Sequence, residues 1–303
     1  MTARDAAIRL AAFQFLEEQV ALRGEVLPRS VLQQGFSFEN QRVPLVGPQG
    51  IFKPAAMTDM PLSITTAPIV EGRDRPYEDQ IDESGLIRYR YRGQDPNHRE
   101  NAGLRAAMES QTPLIYFYGV LRGNYMAVWP VFIVGDDPRH LTFTVAVDEQ
   151  HSLSIQEAHN EVVDIRRAYV TRLTRQRLHQ AGFRQRVIAA YQTLCAICRL
   201  RHEELLDAAH ILPDGHPRGS PIVPNGLALC KLHHSAFDQN VLGIRPDLTV
   251  EISHSVLEEI DGPMLIHGLQ GFHGSKLIVP RNQKLRPNTE FLAERYELFR
   301  TVG

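Results

Sequence analysis

Two short ligand spacings constrain this chain more than any other feature. Cys195 and Cys198 form a Cys-x2-Cys pair, and Cys230 and His233 form a Cys-x2-His pair further along. Thiolate and imidazole ligands at these spacings, each pair presented from a short turn, can close a tetrahedron around Zn²⁺. A stray pair in a core and a redox pair are the alternatives. The two pairs occur together and no other cysteine exists, which makes zinc the better reading. A fully ligated zinc has no open position, so the site is expected to be structural. With three cysteines in all, the chain has no complete disulfide framework. It is expected to work in a reducing compartment, the cytoplasm.

The stretches around this cluster suggest two domains and a connector. Residues 5–22 carry apolar side chains at helical spacing (Ile8, Ala12, Phe15, Leu16, Val20). Their acids and the lack of a basic start argue against a signal peptide. No run reaches the ~18 apolar residues of a membrane span. From about residue 30 to 148, short β-type runs such as PLIYFYGVL and YMAVWPVFIV alternate with Gly/Pro turns. That pattern predicts a barrel or strongly curved sheet, with one helix near Asn101–Ser110. Residues 155–194 return to helical periodicity, with Ile165, Ala168, Tyr169, Leu173, Leu178, Phe183, Val187 and Tyr191 as expected buried positions and a break expected at Gly182. The tail reads as two short strands, LTVEIS and SKLIVP, and a final helix capped by Asn288. The expected fold class is α+β, divided into residues 1–150, a connector at 151–190, and 191–303.

The cysteine pairs bracket a second set of residues, in the order DAAHILP, PNGLALC and KLHHSAFD. The Ala-His-Ile-x-Pro strand, the Asn-Gly-Leu-x-Leu-Cys turn and the Leu-His-His-x-x-Phe-Asp helix resemble the HNH nuclease family over about residues 180–245. The resemblance implies a ββα-metal fold, a β-hairpin and a helix with one catalytic divalent cation (Mg²⁺, Mn²⁺, Co²⁺ or Ni²⁺) held between them. It further implies His210 as general base, Asn225 as the residue that fixes the hairpin loop, and His234 as the catalytic metal ligand. Asp238, one turn beyond His234, is a candidate second ligand. Such residue types suit phosphodiester hydrolysis, which needs a base for water and a cation for developing charge. Many family members carry a metal ligand just before the base, where this chain has Ala209. Asp207 is a weaker candidate, because three residues along a strand point to the opposite face. The other histidines at 202, 216 and 254 are read as ordinary surface residues.

Over roughly residues 36–140 the ordered series PYEDQID, YRYRGQD, NAGLRAA, PLIYFYG and GNYMAVWPVFIV resembles the SRA domain. That is a PUA-like curved β-barrel which reads modified cytosine by flipping the base into a pocket. The resemblance implies a pocket built from Tyr77, Asp79, Gln80 and Tyr91, with an aromatic platform and a polar edge-reader. The family carries a Tyr-x-Asp-Asp run where this chain has Tyr77-Glu78-Asp79-Gln80, so Asp79 and Gln80 are both candidates for the edge-reader.

Thirty-three basic residues against thirty-five acidic ones leave a net charge of −2. A globally basic coat is excluded, but a local basic patch is not. The connector has no acid between Asp164 and Arg186. Arg92, Arg166, Arg167, Arg172 and Arg175 are therefore the expected contacts to DNA backbone. The combined expectation is a modification-dependent endonuclease that binds double-stranded DNA containing 5-methylcytosine or 5-hydroxymethylcytosine. It would act as a homodimer, because one site per chain must cut two strands. Two rival readings keep part of this: an HNH nuclease whose first domain senses another modification or ligand, and a non-catalytic zinc-containing DNA-binding protein.

Overall fold

The computed structural model describes residues 1–68, 86–148 and 161–302, excepting the side chains of 161–166, 175 and 302. It divides into two compact units, Met1–Leu178 and His179–Gly303. Tyr77, Asp79 and Gln80 lie outside the described residues.

The first unit opens with helix α1 (Ala3–Arg23), capped by the Thr2 side chain, which accepts from the Asp5 amide. Its inward stripe, Ile8, Ala12 and Leu16, is fully buried. Arg9 lies on the same helix and is buried too. Its guanidinium donates to the carbonyls of Pro113 (2.9 Å) and Pro61 (2.7 Å). Burial lowers its pKa to about 10, so it remains charged at neutral pH. The chain continues through β1 (Val26–Pro28), α2 (Arg29–Gln34), the hairpin β2 (Phe36–Phe38) and β3 (Gln41–Val43), then β4 (Ile51–Phe52), β5 (Ser63–Thr66) and β6 (Ile87–Arg90). Helix α3 (Arg99–Glu109) and the long strands β7 (Leu114–Leu121), β8 (Asn124–Asp137) and β9 (Thr142–Val147) complete it.

The main sheet runs β4-β5-β7-β8-β9-β6, with β1 also on β8. It is a curled half-barrel. Seven of the eight residues of β7 are buried, which is why PLIYFYGVL reads as a continuous apolar run instead of an alternating one. Strand β8 is long enough to pair with β7 on one edge and, on the other, first with β1 and then with β9. A register shift between Ile133 and Gly135 bends it there.

Helix α4 spans Glu161–Ala190 without interruption. Gly182 does not break it. One mid-helix glycine costs only about 1 kcal/mol, and the neighbouring Phe183 and Val187 are buried in the second unit's core. Tyr169 and Leu173, expected to be buried, are 54% and 47% exposed. Of the eight expected positions, Leu178, Phe183, Val187 and Tyr191 are buried.

In the second unit, β10 (Leu206–His210) pairs antiparallel with β11 (Gly226–Cys230), placing His210 opposite Gly226 and Leu206 opposite Cys230. Helix α5 (Lys231–Asp238) follows directly, giving a ββα unit. Strands β12 (Leu242–Ile244) and β13 (Val250–Ile252) form a second small hairpin. Helices α6 (His254–Glu258), α7 (Pro263–Gly268) and α8 (Thr289–Val302) complete the unit. The stretch SKLIVP, expected as a strand, forms only one bridge, Thr249 with Lys276. The Ile278 amide turns instead to the Ala196 carbonyl at 2.8 Å, so the segment straps the cysteine turn. Asn288 does cap α8, accepting from the Glu290 amide at 2.8 Å. Among the described residues, no helix is long and apolar enough to cross a membrane.

Gly226 is required by packing. A Cβ there would lie 2.4 Å from Val187 Cγ2 and 2.8 Å from Phe183 Cζ. Gly226→Ala should therefore destabilise the second unit by about 1–3 kcal/mol, the usual cost of overpacking a core. The denaturant midpoint would report the loss, and a midpoint equal to wild type would contradict it.

Candidate metal and hydrolytic centre

The second unit holds two groups of side chains, one at each end of the β10–β11 hairpin. At the first end, Cys195 and Cys198 sit on a tight turn closed by the Arg199 amide on the Cys195 carbonyl (3.1 Å), with Cys195 N–H on Leu200 O (3.0 Å). Cys230 ends β11 and His233 lies in the first turn of α5. The ligand atoms of these four residues all lie within 4.8 Å of one another and could hold a metal ion. The Nδ1 of His233 is 3.1 Å from Cys230 Sγ and 3.5 Å from Cys195 Sγ. Its Nε2 lies 2.9 Å from the Gly268 carbonyl. That acceptor fixes the proton on Nε2 and leaves the Nδ1 lone pair for an ion. The donor set of three sulfurs and one nitrogen suits zinc.

At the other end, Asn225 is fully buried and clamps the loop between β10 and β11. Its Oδ1 accepts from the Leu212 amide (2.9 Å), and its Nδ2 donates to the carbonyls of Leu212 (3.0 Å) and Ser220 (3.1 Å). Its own carbonyl accepts from the Ile211 amide (2.9 Å). These bonds hold the chain immediately after His210 and tie it to the far end of the loop. The outer loop is tied to α8 by Arg218, which pairs with Glu294 and Glu290, and by His216, 2.9 Å from Glu294.

The ring of His210 stacks on Phe183 of α4, with centroids 4.1 Å apart and planes 20° from parallel. Its Nε2 is buried without a hydrogen-bond partner. Burial pulls its pKa below the ordinary 6.5, and the charges of Asp214, His234 and Asp238 also act on it. The ring is therefore neutral at physiological pH and close in field to the α5 residues. His234 on α5 has a carboxylate at each ring nitrogen. Asp207 Oδ2 is 3.6 Å from Nδ1, and Asp238 Oδ2 is 3.3 Å from Nε2. Ala209, just before the base candidate, is fully buried and offers no ligand. Spacing gave no hint of Arg295. From α8 it lies over the Phe237 ring at 4.6 Å and donates to the Phe237 carbonyl and Asn240, at the end of α5 beside Asp238.

In the first unit, Tyr91 is buried and stacked on Phe143 with centroids 4.5 Å apart. Its hydroxyl bonds Asp136, which also pairs with Arg105 at 2.6 Å. Burial and Asp136 raise the Tyr91 pKa. Tyr91 still forms part of the wall of a cavity of about 280 Å³, with Arg29, Thr65, Tyr89, Arg90 and Arg92. Asn101 clamps the turn at the cavity rim, accepting from the Arg92 amide (2.8 Å) and donating to the carbonyls of Arg92 (3.1 Å) and Asp95 (2.8 Å). Gly93 in that turn has φ +65°, a conformation favouring glycine.

The expected backbone-contacting arginines take different positions. Arg92 is half exposed, 3.8 Å from Glu100. Arg167 pairs with buried Asp148 at 3.0 Å and lies over Phe132. Arg172 is exposed beside the Tyr169 ring at 5.8 Å. The side chains of Arg166 and Arg175 lie outside the described set.

Comparison with known proteins agrees on the second unit. Residues 195–245 match the HNH endonuclease family, and the chain carries an HNH nuclease domain. No curated protein matches the sequence. A solved structure described as a modification-dependent TagI restriction endonuclease aligns with a TM-score of 0.29 and 17% identity, covering 78% of this chain and 81% of that one.

The Asn225 clamp is open to test. Asn225→Ala would leave the Leu212 N–H and carbonyl without their partner, while the Ser220 carbonyl keeps the Ile222 amide, at a cost of about 1–3 kcal/mol. Amide exchange at Leu212 should accelerate well beyond the change at β11 amides, and an unchanged rate would rule the clamp out.

Proposed function

We propose that the chain is a modification-dependent DNA endonuclease. Its nuclease unit hydrolyses a phosphodiester, and its first unit reads a modified cytosine, 5-methyl- or 5-hydroxymethylcytosine, flipped out of the duplex. The observation that carries the nuclease half is His210. Its ring is stacked on Phe183 at 4.1 Å beside the Asn225-clamped loop, with Nε2 buried and without a hydrogen-bond partner.

The tautomer argument gives His210 its role. Its Nε2 is shut away from solvent and out of reach of water, so Nδ1 is the nitrogen that would take a proton from water, in the tautomer that leaves its lone pair free. The resulting hydroxide attacks phosphorus, the bond to the leaving oxygen breaks, and the products carry a 5′-phosphate and a 3′-hydroxyl. His234 and Asp238 would hold the catalytic divalent cation, Mg²⁺, Mn²⁺, Co²⁺ or Ni²⁺. When bound, that cation supplies charge neutralisation at the scissile phosphate and leaving group. Phe183 keeps the His210 ring in plane, and Asn225 keeps the loop from carrying it away. Cys195, Cys198, Cys230 and His233 would hold a structural zinc.

Support for the reader half comes from the ordered sequence resemblance and from the cavity that Tyr91 and Arg92 help line. Drug-sized pockets begin at roughly 300 Å³, so about 280 Å³ suits a single heterocycle. Arg92 and Arg172 are exposed enough to meet phosphates, and binding should weaken steeply with salt. Cutting both strands implies two copies related by the duplex two-fold.

Matched duplexes carrying cytosine, 5-methylcytosine, 5-hydroxymethylcytosine or glucosylated bases test the whole reading. Cleavage confined to modified duplexes is expected. Equal cutting of all four would overturn the reader, and no cutting with any of the four metals would overturn the nuclease. His210→Ala should lower the cleavage rate by at least about 100-fold, the usual contribution of a positioned base, without changing DNA affinity or zinc content. The acid limb of the single-turnover rate should have its midpoint below 6.5, because burial depresses the His210 pKa. The base is active while neutral, so activity persists as pH falls through the ordinary imidazole range and is lost only beneath it. A midpoint above 7 would contradict this assignment. Cys198→Ala should remove the bound zinc, read by elemental analysis, and melt the nuclease unit at lower temperature.

A further inference from the structure

The two carboxylates flanking His234 cannot play the same part. They face opposite ring nitrogens, Asp207 at Nδ1 (3.6 Å) and Asp238 at Nε2 (3.3 Å). The lone-pair directions of those nitrogens diverge, so an ion held by one nitrogen is remote from the carboxylate at the other. One carboxylate can share an ion with the ring, and the other can only accept the ring's remaining N–H. The geometry points to Asp207 as a positioning residue: its carboxylate is an ion-pair neighbour of Nδ1 at 3.6 Å, longer than a hydrogen bond, and it closes on the Nδ1–H when Nε2, on the Asp238 side, is given to the catalytic cation.

Three observations choose between the two arrangements. Asp207 is already neutralised, since it pairs with Lys231 and lies 3.4 Å from Arg184. It has little charge left to offer a dication. Asp238 makes no ion pair with Lys or Arg among the described residues and is 55% exposed, as a ligand open to substrate must be. Of the two carboxylates, Asp238 and not Asp207 is among the charges that act on the base candidate His210. The Asp207–His234 pair then matches the general pattern in which a ligating histidine donates its other N–H to a carboxylate, an arrangement that fixes tautomer and ring angle. It also explains how Asp207 can serve the site although it points to the opposite face of β10 from His210.

This inference rests on the metal-dependent nuclease reading, and the experiment separates the two. Full-length protein is titrated with Mn²⁺ by calorimetry, as wild type and as Asp207→Asn, Lys231→Met, Arg184→Gln and His234→Ala. The ring-nitrogen tautomer of His234 is read in wild type loaded with diamagnetic Mg²⁺ by long-range ¹H–¹⁵N correlation at pH 9, where an ordinary imidazole is neutral. The expected results are Nδ1–H in wild type, Mn²⁺ affinity weakened roughly 10- to 100-fold in Asp207→Asn, and Lys231→Met and Arg184→Gln close to wild type. The inference is overturned if Asp207→Asn binds Mn²⁺ as tightly as wild type while His234→Ala does not. It is equally overturned if wild-type His234 carries its proton on Nε2, or if Lys231→Met and Arg184→Gln weaken binding as much as Asp207→Asn, which would reduce Asp207 to a salt-bridge anchor. If His234→Ala binds Mn²⁺ like wild type, the metal reading itself fails. Should Asp207→Asn not fold, the wild-type tautomer alone decides.

Discussion

Convergence of three thiols and one imidazole within 4.8 Å is the constraint on which the rest of the second unit depends. It pins the start of α5 to the cysteine turn, and SKLIVP straps that turn from outside. Successive helical residues point about 100° apart. Once His233 is committed to the cluster, the direction of His234 is therefore set as well. The four donors and the buried contacts of Ala236 and Phe237 with the hairpin together fix the register of the helix against it.

Buried amides do the corresponding work in the loops. Asn225 ties the ends of the loop after His210, and Asn101 ties the Tyr91-Arg92-Gly93 turn at the cavity rim. An asparagine side chain has both a donor and an acceptor, so it can replace the ladder partners that an irregular segment lacks. Each is itself buried and therefore fixes a non-repetitive stretch next to a place where chemistry is proposed. Arg9 plays a related part in α1, giving its guanidinium to carbonyls at the sheet end instead of to water.

The second unit was largely legible because its spacing is local. Cys-x2-Cys and Cys-x2-His each span a turn or a helix start, and the Asn-to-His interval spans one short strand and the first turn of α5, where geometry follows directly from residue count. The connector was less legible. Tyr169 and Leu173 fit a buried helical stripe by period, yet both are exposed, while Phe183 and Val187 on the same helix are buried. Periodicity reports which side chains share a face, not whether a partner covers that face along its full length. Tyr91 shows a similar limit. An aromatic at a turn suggests a platform, but its ring is packed on Phe143 and its hydroxyl is engaged by Asp136, both distant in sequence.

By itself the sequence determined the three-thiol, one-imidazole donor set and the order of hairpin and helix, and it singled out His210, Asn225 and His234 as candidates, since these depend on residue type and short-range spacing. Tertiary structure alone decided which groups surround them. Phe183 lies on the His210 ring, Arg295 lies at the end of α5, and Asp207 comes to the His234 nitrogen opposite the one that Asp238 reaches from the next turn. The first three contacts join segments far apart in the chain, and no local periodicity encodes the angle at which they meet.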